Sequence, residues 1–382
     1  MRRLLSSKAG GVPPLISAGL ADPLTRVSAI VTRTLDELRE LRPESVPWTN
    51  GLDAMIAIST SPRRHLFRPQ LVLLGAHKRP SAQSETFAAG VELQHLFMLV
   101  HDDVMDKGTI RRGLPTVSVA LNRGGLVKHE AVDQLATLIG DVLHAKSLAL
   151  LLEGAQGNTA SIMRIVDAAC LAGAAQFDDV VGWPGLERQM RAGLSLSVLQ
   201  QRHACGIAVE HGFVAPLVAG MLLGDPTVPP DAIAAVQRWG EQAGTCFLEL
   251  EDVADVVMPT AQSGKDALQD IREGRLSQIL FALRRVASNE EWDSVAALCG
   301  TDNYPISLFD RRATLDIIAR HRISTRVLES SQAHLANAEA AVDAIGALGK
   351  DYEHLRLGLH TFCQGLRAEV DRLESIVKAK ER

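Results

Sequence analysis

Apolar residues recur at helical spacing through most of this chain, and this periodicity limits what the chain can fold into. An Asp22-Pro23 pair, typical of a helix start, precedes a stripe that runs from Leu24 to Leu41 and ends before Pro43. Comparable stripes cover roughly 82–106, 129–155, 158–182, 186–204, 206–223 and 230–257. Because alternating strand patterns with hairpin turns are absent from the sequence, it predicts an all-α protein.

The length of 382 residues allows two domains, but one large helical bundle accounts for the periodicity equally well. We predict a flexible arm at 1–20 and a single helical domain at 21–382, which includes C-terminal helices from about residue 310. The last of these helices carries an apolar stripe from Leu355 to Ile376, a pattern typical of packing or of a subunit contact.

Composition excludes several classes of partner. The net charge of −5 gives no electrostatic basis for binding nucleic acid. The five cysteines show no CxxC spacing, which predicts reduced thiols and a cytoplasmic protein. No unbroken apolar run reaches the roughly 18 residues of a membrane span, so we expect no stable membrane insertion.

The stretch HDDVMDKGTIRRG at 101–113 sets three carboxylates beside two arginines. In a helix, Asp102 and Asp106 project from one face, with Asp103 turned by roughly 100°. Like charges about 4 Å apart repel by roughly 4 kcal/mol at an effective dielectric of about 20, so the cluster calls for cations. Carboxylates suit Mg²⁺, which commonly adds substrate phosphate oxygens, and Arg111 and Arg112 would bind those phosphates.

A second acidic stretch, FLELEDVAD at 247–255, repeats the spacing at Glu251, Asp252 and Asp255, and the loop after it adds Lys265 and Arg275. Either stretch alone also fits a solvated, charged helix face. The two together favour a site in which clusters facing one another hold metals that neutralise a departing diphosphate.

In these residues the chain resembles the trans-isoprenyl diphosphate synthases, also called polyprenyl synthetases. HDDVMDKGTIRRGLPTV at 101–117 is close to the first aspartate-rich motif of that family. FLELEDVADVV at 247–257, followed by GKDALQDIREGRLSQIL at 264–280, resembles the second, with Glu251 where the family usually has Asp. Weaker similarity extends from about Arg68 to Leu280. The resemblance implies a helical bundle of the isoprenoid synthase type with a central apolar cavity, and a homodimer.

The resemblance also assigns roles to individual residues. It implies three Mg²⁺ ions, held directly by Asp102, Asp106 and Glu251, with Asp103, Asp252 and Asp255 acting on them from nearby or through water. An allylic diphosphate would be bound, besides the metals, by Arg111, Lys265 and Arg275. The diphosphate of isopentenyl diphosphate would be bound by Arg68, His95, Arg112 and, in place of a family lysine, His65.

Chain elongation to a trans-prenyl diphosphate is the function that this resemblance implies. Phe97 and Met98, five and four residues before Asp102, would form the floor of the apolar pocket and favour a C15–C20 product. A simpler interpretation is that Phe97 belongs to the core.

The chain departs from the family at two places. RRHLFRP at 63–69 stands where the family has Gly-Gly-Lys-x-x-Arg. A family Lys-Thr pair falls on Ile207 and Ala208, counted back from Pro216, and Leu248 replaces a usual glutamine. An insertion could restore a basic group from Arg202 or His203.

These losses leave open which nucleophile attacks. The alternatives on the same fold are a class I terpene cyclase and a prenyltransferase with a non-standard acceptor. A non-catalytic partner subunit of a prenyl synthase is the alternative of another class, and the retained carboxylates argue against it.

Overall fold

The computed structural model describes residues 20–64, 66–76, 81–258, 268, 271, 274–299 and 307–380. Within these ranges the protein is almost entirely helical, which confirms the predicted all-α class. The helices are α1 Ala21–Arg39, α2 Val46–Thr60, α3 Phe67–Gly75, α4 Ala82–Met105, α5 Val117–Leu121, α6 Val132–Ala155, α7 Thr159–Arg191, α8 Leu196–Ala204, α9 Ala215–Gly224, α10 Pro230–Val257, α11 Gln278–Val286, α12 Asn289–Ala296, α13 Leu308–Arg320, α14 Ile323–Gly346 and α15 Glu353–Lys380. A two-stranded antiparallel hairpin joins β1 Ile110–Arg111 to β2 Leu114–Pro115. Short 3₁₀ turns lie at Arg123–Gly125, His129–Ala131 and Lys350–Tyr352, and Cys205–Val214 is a π-helix.

Helix α4 begins where its sequence contains a capping box. The Ser81 hydroxyl accepts a hydrogen bond from the Ser84 backbone N–H, while the Ser84 side chain reciprocates at the Ser81 N–H. The helix ends at Met105, and Lys107 follows with a left-handed φ of +54°. The predicted helix at 82–106 is therefore confirmed to within one residue.

Helix α7 contains the break that the sequence predicts between the stripes at 158–182 and 186–204. The segment from Thr159 to Arg191 consists of two helices that meet at a kink. The direction of the chain changes at Gly182, whose φ of +65° and ψ of −164° lie outside the helical region. Glycine adopts this positive φ without a steric penalty, and the second helix begins directly after it. Pro184 therefore lies in a first helical turn, where its missing N–H removes no intrahelical hydrogen bond.

The chain divides into two compact units. One contains 14–165 and 216–229, and the other contains 166–215 and 230–382. The single domain predicted for 21–382 remains a prediction, and the predicted arm at 1–20 lies outside the described residues except for Leu20.

In the first unit α4 packs mainly on α6. The two helices approach closely at Gly154, where a Cβ atom would lie 2.4 Å from the backbone nitrogen of Phe87. This packing fixes the helix that carries the first acidic motif.

In the second unit α10 packs on α14, on α15 and on the π-helical segment. The rings of Phe213, Trp239 and Phe362 pack together there, with centroids 5.5–6.1 Å apart. This aromatic core anchors the start of α10, the helix that carries the second acidic motif.

Three helical segments are long and apolar enough to span a membrane, judged by length and composition alone. In the most apolar part of each, 33%, 22% and 72% of the residues are buried inside the protein, in the order His129–Ala155, Thr159–Arg191 and Leu196–Gly224. Polar residues interrupt these segments, which is why a search for unbroken apolar runs does not find them.

Candidate active site

The first acidic motif lies in the last turn of α4, and the β1–β2 hairpin folds back onto it. Arg111 of β1 donates from Nη2 to Asp102 Oδ2 at 2.6 Å. It also donates from Nε and Nη2 to Asp103 Oδ1, at 2.9 Å and 2.6 Å. One guanidinium thus holds two adjacent carboxylates in a fixed orientation.

These contacts determine the charge of Arg111. Burial alone would lower the pKa of its guanidinium, but the neighbouring carboxylates of Asp103 and Asp102 outweigh burial and raise it. Arg111 is therefore a permanent cation at the motif. Asp106, the C-cap of α4, follows one turn after Asp102 and donates its backbone N–H to the Asp102 carbonyl at 2.8 Å.

Three arginines surround a buried glutamate in the same unit. We call Arg64, Arg68, Arg112 and Glu92 the arginine cluster. Arg68 and Glu92 are buried, and neither carboxylate oxygen of Glu92 accepts a hydrogen bond within the described part of the chain. Burial raises the pKa of Glu92, while the charges of Arg112, Arg68 and Arg64 oppose that rise. Burial lowers the pKa of Arg68 to about 10, which leaves it charged at neutral pH.

The C-terminal end of α2 positions two of these arginines. Arg64 Nη1 donates to the Ser59 carbonyl at 2.6 Å, and Arg112 Nη1 donates to the Ile58 carbonyl at 3.1 Å. Carbonyls at a helix C-terminus favour cations, so the backbone of α2 helps to hold both guanidinium groups in place. With three cations and one carboxylate, the arginine cluster carries excess positive charge and is suited to an anionic ligand.

Other predicted residues of α4 lie between the arginine cluster and the acidic motif. His95 is half-buried and seven residues before Asp102, so it shares the same helix face, as its spacing predicted. Met98 and Phe97 are also half-buried, which sets Phe97 apart from the fully buried core. The Phe97 ring lies 4.5 Å from the ring of His144 on α6 and 5.5 Å from that of His101.

The second acidic motif lies near the C-terminal end of α10. Glu251 is exposed, Asp255 is half-buried and Asp252 is buried. Asp252 Oδ2 accepts a hydrogen bond from the Gln278 backbone N–H at 2.6 Å. Asp252 therefore fixes the start of α11, while Glu251 is more accessible to solvent.

Arg275 lies in the turn before α11 and is buried. Its Nη1 donates to Asp179 Oδ2 at 2.8 Å, and Asp179 Oδ1 accepts from the Leu276 backbone N–H at 2.7 Å. The kink of α7 allows this approach, since a Cβ at Gly182 would lie 2.7 Å from the Gly274 carbonyl oxygen. The sequence analysis assigned no role to Asp179, although it lies within the region of weaker similarity to the family.

The residues at the positions of the lost Lys-Thr pair and glutamine pack together. Ala204, Ala208 and Leu248 are buried in contact, and Ile207 packs against them. We call these four residues the aliphatic cluster. Arg202 is exposed, while His203 is buried with its ring 6.0 Å from that of Phe281. The aliphatic cluster therefore contains no polar side chain.

Two predicted residues, His65 and Lys265, lie outside the described part of the chain. Among the residues that are described, no three His, Cys, Asp or Glu side chains are arranged to hold a metal ion by themselves. The donors of both motifs are carboxylates. They fit Mg²⁺ bound together with substrate phosphates, because that ion usually takes only one or two protein carboxylates.

Comparison with known proteins places the chain in a family. The polyprenyl synthetase family model matches residues 50–306. A short chain isoprenyl diphosphate synthase of Methanothermobacter thermautotrophicus is 26% identical over 293 residues, covering 72% of this chain and 83% of that protein. A geranylgeranyl diphosphate synthase of Sulfolobus acidocaldarius is 26% identical over 270 residues, covering 67% and 73%.

Solved structures share the fold. Geranylgeranyl pyrophosphate synthase from Corynebacterium glutamicum, complexed with isoprenyl diphosphate and magnesium, aligns with a TM-score of 0.69 at 20% identity, covering 88% of this chain and 98% of that one. Polyprenyl synthase from Caulobacter crescentus, complexed with calcium and isoprenyl diphosphate, aligns with a TM-score of 0.63 at 21% identity, covering 91% and 98%. With the family model matching more than half of its length, this chain belongs to the polyprenyl synthetase family and is a prenyltransferase of the trans-polyprenyl diphosphate synthase type.

Proposed function

We propose that this prenyltransferase condenses an allylic diphosphate with isopentenyl diphosphate in the presence of Mg²⁺ and releases a trans-prenyl diphosphate of C15–C20. The observation that carries the choice of reaction is the arginine cluster. A cyclase acts on one diphosphate, whereas condensation requires a second anion site in addition to the acidic motifs. The excess positive charge of Arg64, Arg68 and Arg112 over Glu92 supports such a site.

The acceptor site retains its charge although its family motif is altered. Arg64 stands at the position of a family glycine, one residue before the lost lysine, and its charge acts on both Glu92 and Arg112. We assign to Arg64 the role of that lysine, which is to bind the acceptor diphosphate. Arg68, Arg112 and His95 are the other groups that bind it. His65 adds a further group in this proposal.

The acidic motifs bind the allylic substrate. Mg²⁺ would be held by Asp102, Asp106 and Glu251, with Asp103, Asp252 and Asp255 nearby, and would stabilise charge on the departing diphosphate. The guanidinium of Arg111 keeps Asp102 and Asp103 oriented, and it contributes a fixed positive charge to the same end of α4. Lys265 and Arg275 complete the proposed set of cations.

Phe97 and Met98 limit the length of the product in this proposal. Phe97 is held between α4 and α6 by its ring contact with His144, whose Nδ1 lies 3.2 Å from Gln94 Oε1. A bulky side chain fixed in this way would form the floor of the pocket and stop the growing prenyl chain there. The short-chain and geranylgeranyl relatives support the assigned range.

A second copy of the chain completes the proposed enzyme. Helix α7 exposes Leu171, Phe177, Val180 and Val181, with Phe177 70% exposed, and α6 exposes Leu138 and Leu152. Apolar faces of this extent are typical of subunit interfaces. Burial in a homodimer accounts for the low internal burial of these helices without a membrane, and sedimentation analysis is expected to show a dimer.

The test incubates the protein with C5, C10, C15 and C20 allylic diphosphates, each with and without isopentenyl diphosphate, in Mg²⁺ or in EDTA. Mass spectrometry is expected to detect a longer diphosphate only when isopentenyl diphosphate and Mg²⁺ are both present. A hydrocarbon or alcohol formed from one allylic substrate alone would overturn condensation in favour of cyclisation. Asp102→Asn is expected to lower kcat by roughly 10²–10³, as removal of a group that stabilises transition-state charge does. The exposed Asp53→Asn serves as the matched control.

A further inference from the structure

The C-terminal helix α15 contains a buried acid within its apolar stripe. Glu369 is 4% exposed and is surrounded in sequence by the buried residues Leu366, Val370 and Leu373. Arg372, one turn later, donates from Nε to Glu369 Oε2 at 2.8 Å and from Nη2 to Glu369 Oε1. This two-point contact fixes the guanidinium of Arg372, a residue to which the sequence analysis assigned no role.

Arg372 Nη1, the guanidinium nitrogen that does not contact Glu369, lies against α10. Arg372 Nη1 is 3.3 Å from the sulfur of Met258, the residue directly after the last turn of that helix. Glu251, Asp255 and Met258 follow a four-three spacing, which places them on one helix face. The contact with Met258 therefore brings Arg372 to the face of α10 that carries the second acidic motif.

The electrostatics of Arg372 agree with this position. The hydrogen bond to Glu369 raises the pKa of the guanidinium most, burial opposes the rise, and the charges of Glu369 and Glu251 add to it. The charge of Glu251 on α10 therefore favours the charged form of Arg372 on α15, in keeping with the contact between Arg372 and Met258. Arg367, on the same α15 helix, instead pairs with Glu339 of α14 at 2.7 Å.

We infer that Arg372 is a positioning residue of the second acidic motif: it is a built-in counter-cation of Glu251, supplied by the C-terminal helix, that sets how strongly this motif binds a divalent cation. In the metal-free protein Arg372 offsets the repulsion among the carboxylates. When a metal arrives, the same charge repels it, so the motif binds metal more weakly than its carboxylates alone would. The importance of this tuning for catalysis rests on the proposed function.

The test measures binding of Mn²⁺ alone to the full-length protein by electron paramagnetic resonance. Arg372→Gln is expected to lower the Mn²⁺ dissociation constant by roughly three- to ten-fold, the effect of removing one unit charge near a divalent ion in a partly solvated site. Arg372→Lys is expected to stay close to the wild type, since it keeps the charge. Arg367→Gln, which breaks an Arg–Glu pair away from the motif, is expected to leave Mn²⁺ binding unchanged. The effect should shrink at high ionic strength.

Arg372→Gln leaves the buried carboxylate of Glu369 without its cation and could therefore impair folding. The double variant Glu369→Gln/Arg372→Gln avoids this and provides a second test of the inference. This double variant removes the positive and the negative charge together. It is expected to tighten Mn²⁺ binding by roughly two-fold, because Arg372 is nearer to the motif than Glu369 and its repulsion of the metal outweighs the attraction by Glu369. Unchanged or weaker Mn²⁺ binding in the variants that fold would overturn the inference. Tighter binding without any prenyl transfer by the wild type would leave the inference standing and remove the proposed function instead.

Discussion

The two helices that carry the acidic motifs differ in how they hold a buried acid. On α4, Glu92 lies ten residues before Asp102 and is surrounded by the three guanidinium groups of the arginine cluster. On α10, Glu249 lies two residues before Glu251 and accepts a hydrogen bond from Ser330 Oγ at 2.6 Å, with His334 Nε2 3.8 Å away. Burial raises the pKa of Glu249 to about 8, and among the residues that the structure describes no arginine or lysine contributes to this shift.

The two helices also differ in what replaces the family residues that are missing near each of them. Near α4 a lysine is lost, but Arg64 supplies a charge in the same cluster as Arg68 and Arg112. Near α10 polar groups are lost, and the aliphatic cluster takes their place. The chain thus has cations in the arginine cluster, where we propose that the acceptor diphosphate binds, and only apolar side chains in the aliphatic cluster. Variants at Glu249, Arg64 and Leu248 test this contrast.

The largest expected effect is on stability, from Glu249→Gln. Because the folded pKa of Glu249 is raised above its unfolded value, its contribution to stability is full below about pH 4.5 and is lost as pH rises through about 8. Glutamine mimics the protonated acid, so the variant should be more stable than the wild type by roughly 2–3 kcal/mol at pH 7 and equal to it at pH 4. Urea unfolding at both pH values measures this.

Two matched variants sharpen that test. Glu241→Gln, at an exposed position of the same helix, should change stability little at either pH. Glu92→Gln should be less stabilising than Glu249→Gln, because the arginines already offset part of the cost of burying Glu92. An equal gain in stability from Glu92→Gln would contradict the proposed difference between the two helices.

The next effect is on substrate binding, from Arg64→Gln. Loss of one charge-assisted contact is expected to raise the KM for isopentenyl diphosphate roughly ten-fold and to leave the KM for the allylic substrate nearly unchanged. Steady-state kinetics with each substrate varied in turn measures this. Arg26→Gln, which removes an exposed arginine paired with Glu85, is the control. Equal changes in both KM values would contradict the assignment of Arg64 to the acceptor.

The smallest effect is expected from Leu248→Gln, which restores the family residue in the aliphatic cluster. The amide would be buried against Ala204, Ile207 and Ala208, so the free energy of unfolding should fall by roughly 1–2 kcal/mol. Thermal and urea unfolding measure the change, with the exposed Leu357→Gln as control. An increase in kcat would show that the lost polar group still has a role in this chain.

Sequence reasoning predicted the features that local periodicity encodes. The helical class, the extent of α4 and the placement of His95 and Asp102 on one face all follow from spacing along a single helix. The ion pair between Asp179 and Arg275 joins residues 96 positions apart, and no local pattern reports such a contact. The same holds for Arg372 and Met258, which lie on different helices.

The break in α7 follows from the local sequence as well, because the predicted stripe 158–182 ends at Gly182, where the structure has the kink. Substrate binding by Arg111 stays a prediction, but the structure shows that its guanidinium donates hydrogen bonds to Asp102 and Asp103, which spacing alone does not reveal. The roles assigned to the remaining site residues stay predictions.

The π-helical segment Cys205–Val214 has a consequence for how this chain can change over time. A π turn contains an additional residue compared with an α turn, and short π segments are frequent at functional sites. A one-residue insertion or deletion here can be absorbed by exchange between π and α turns, so neither acidic motif needs to move. The region of the lost Lys-Thr pair is therefore where this chain can accept a one-residue change in length at the least cost to the fold.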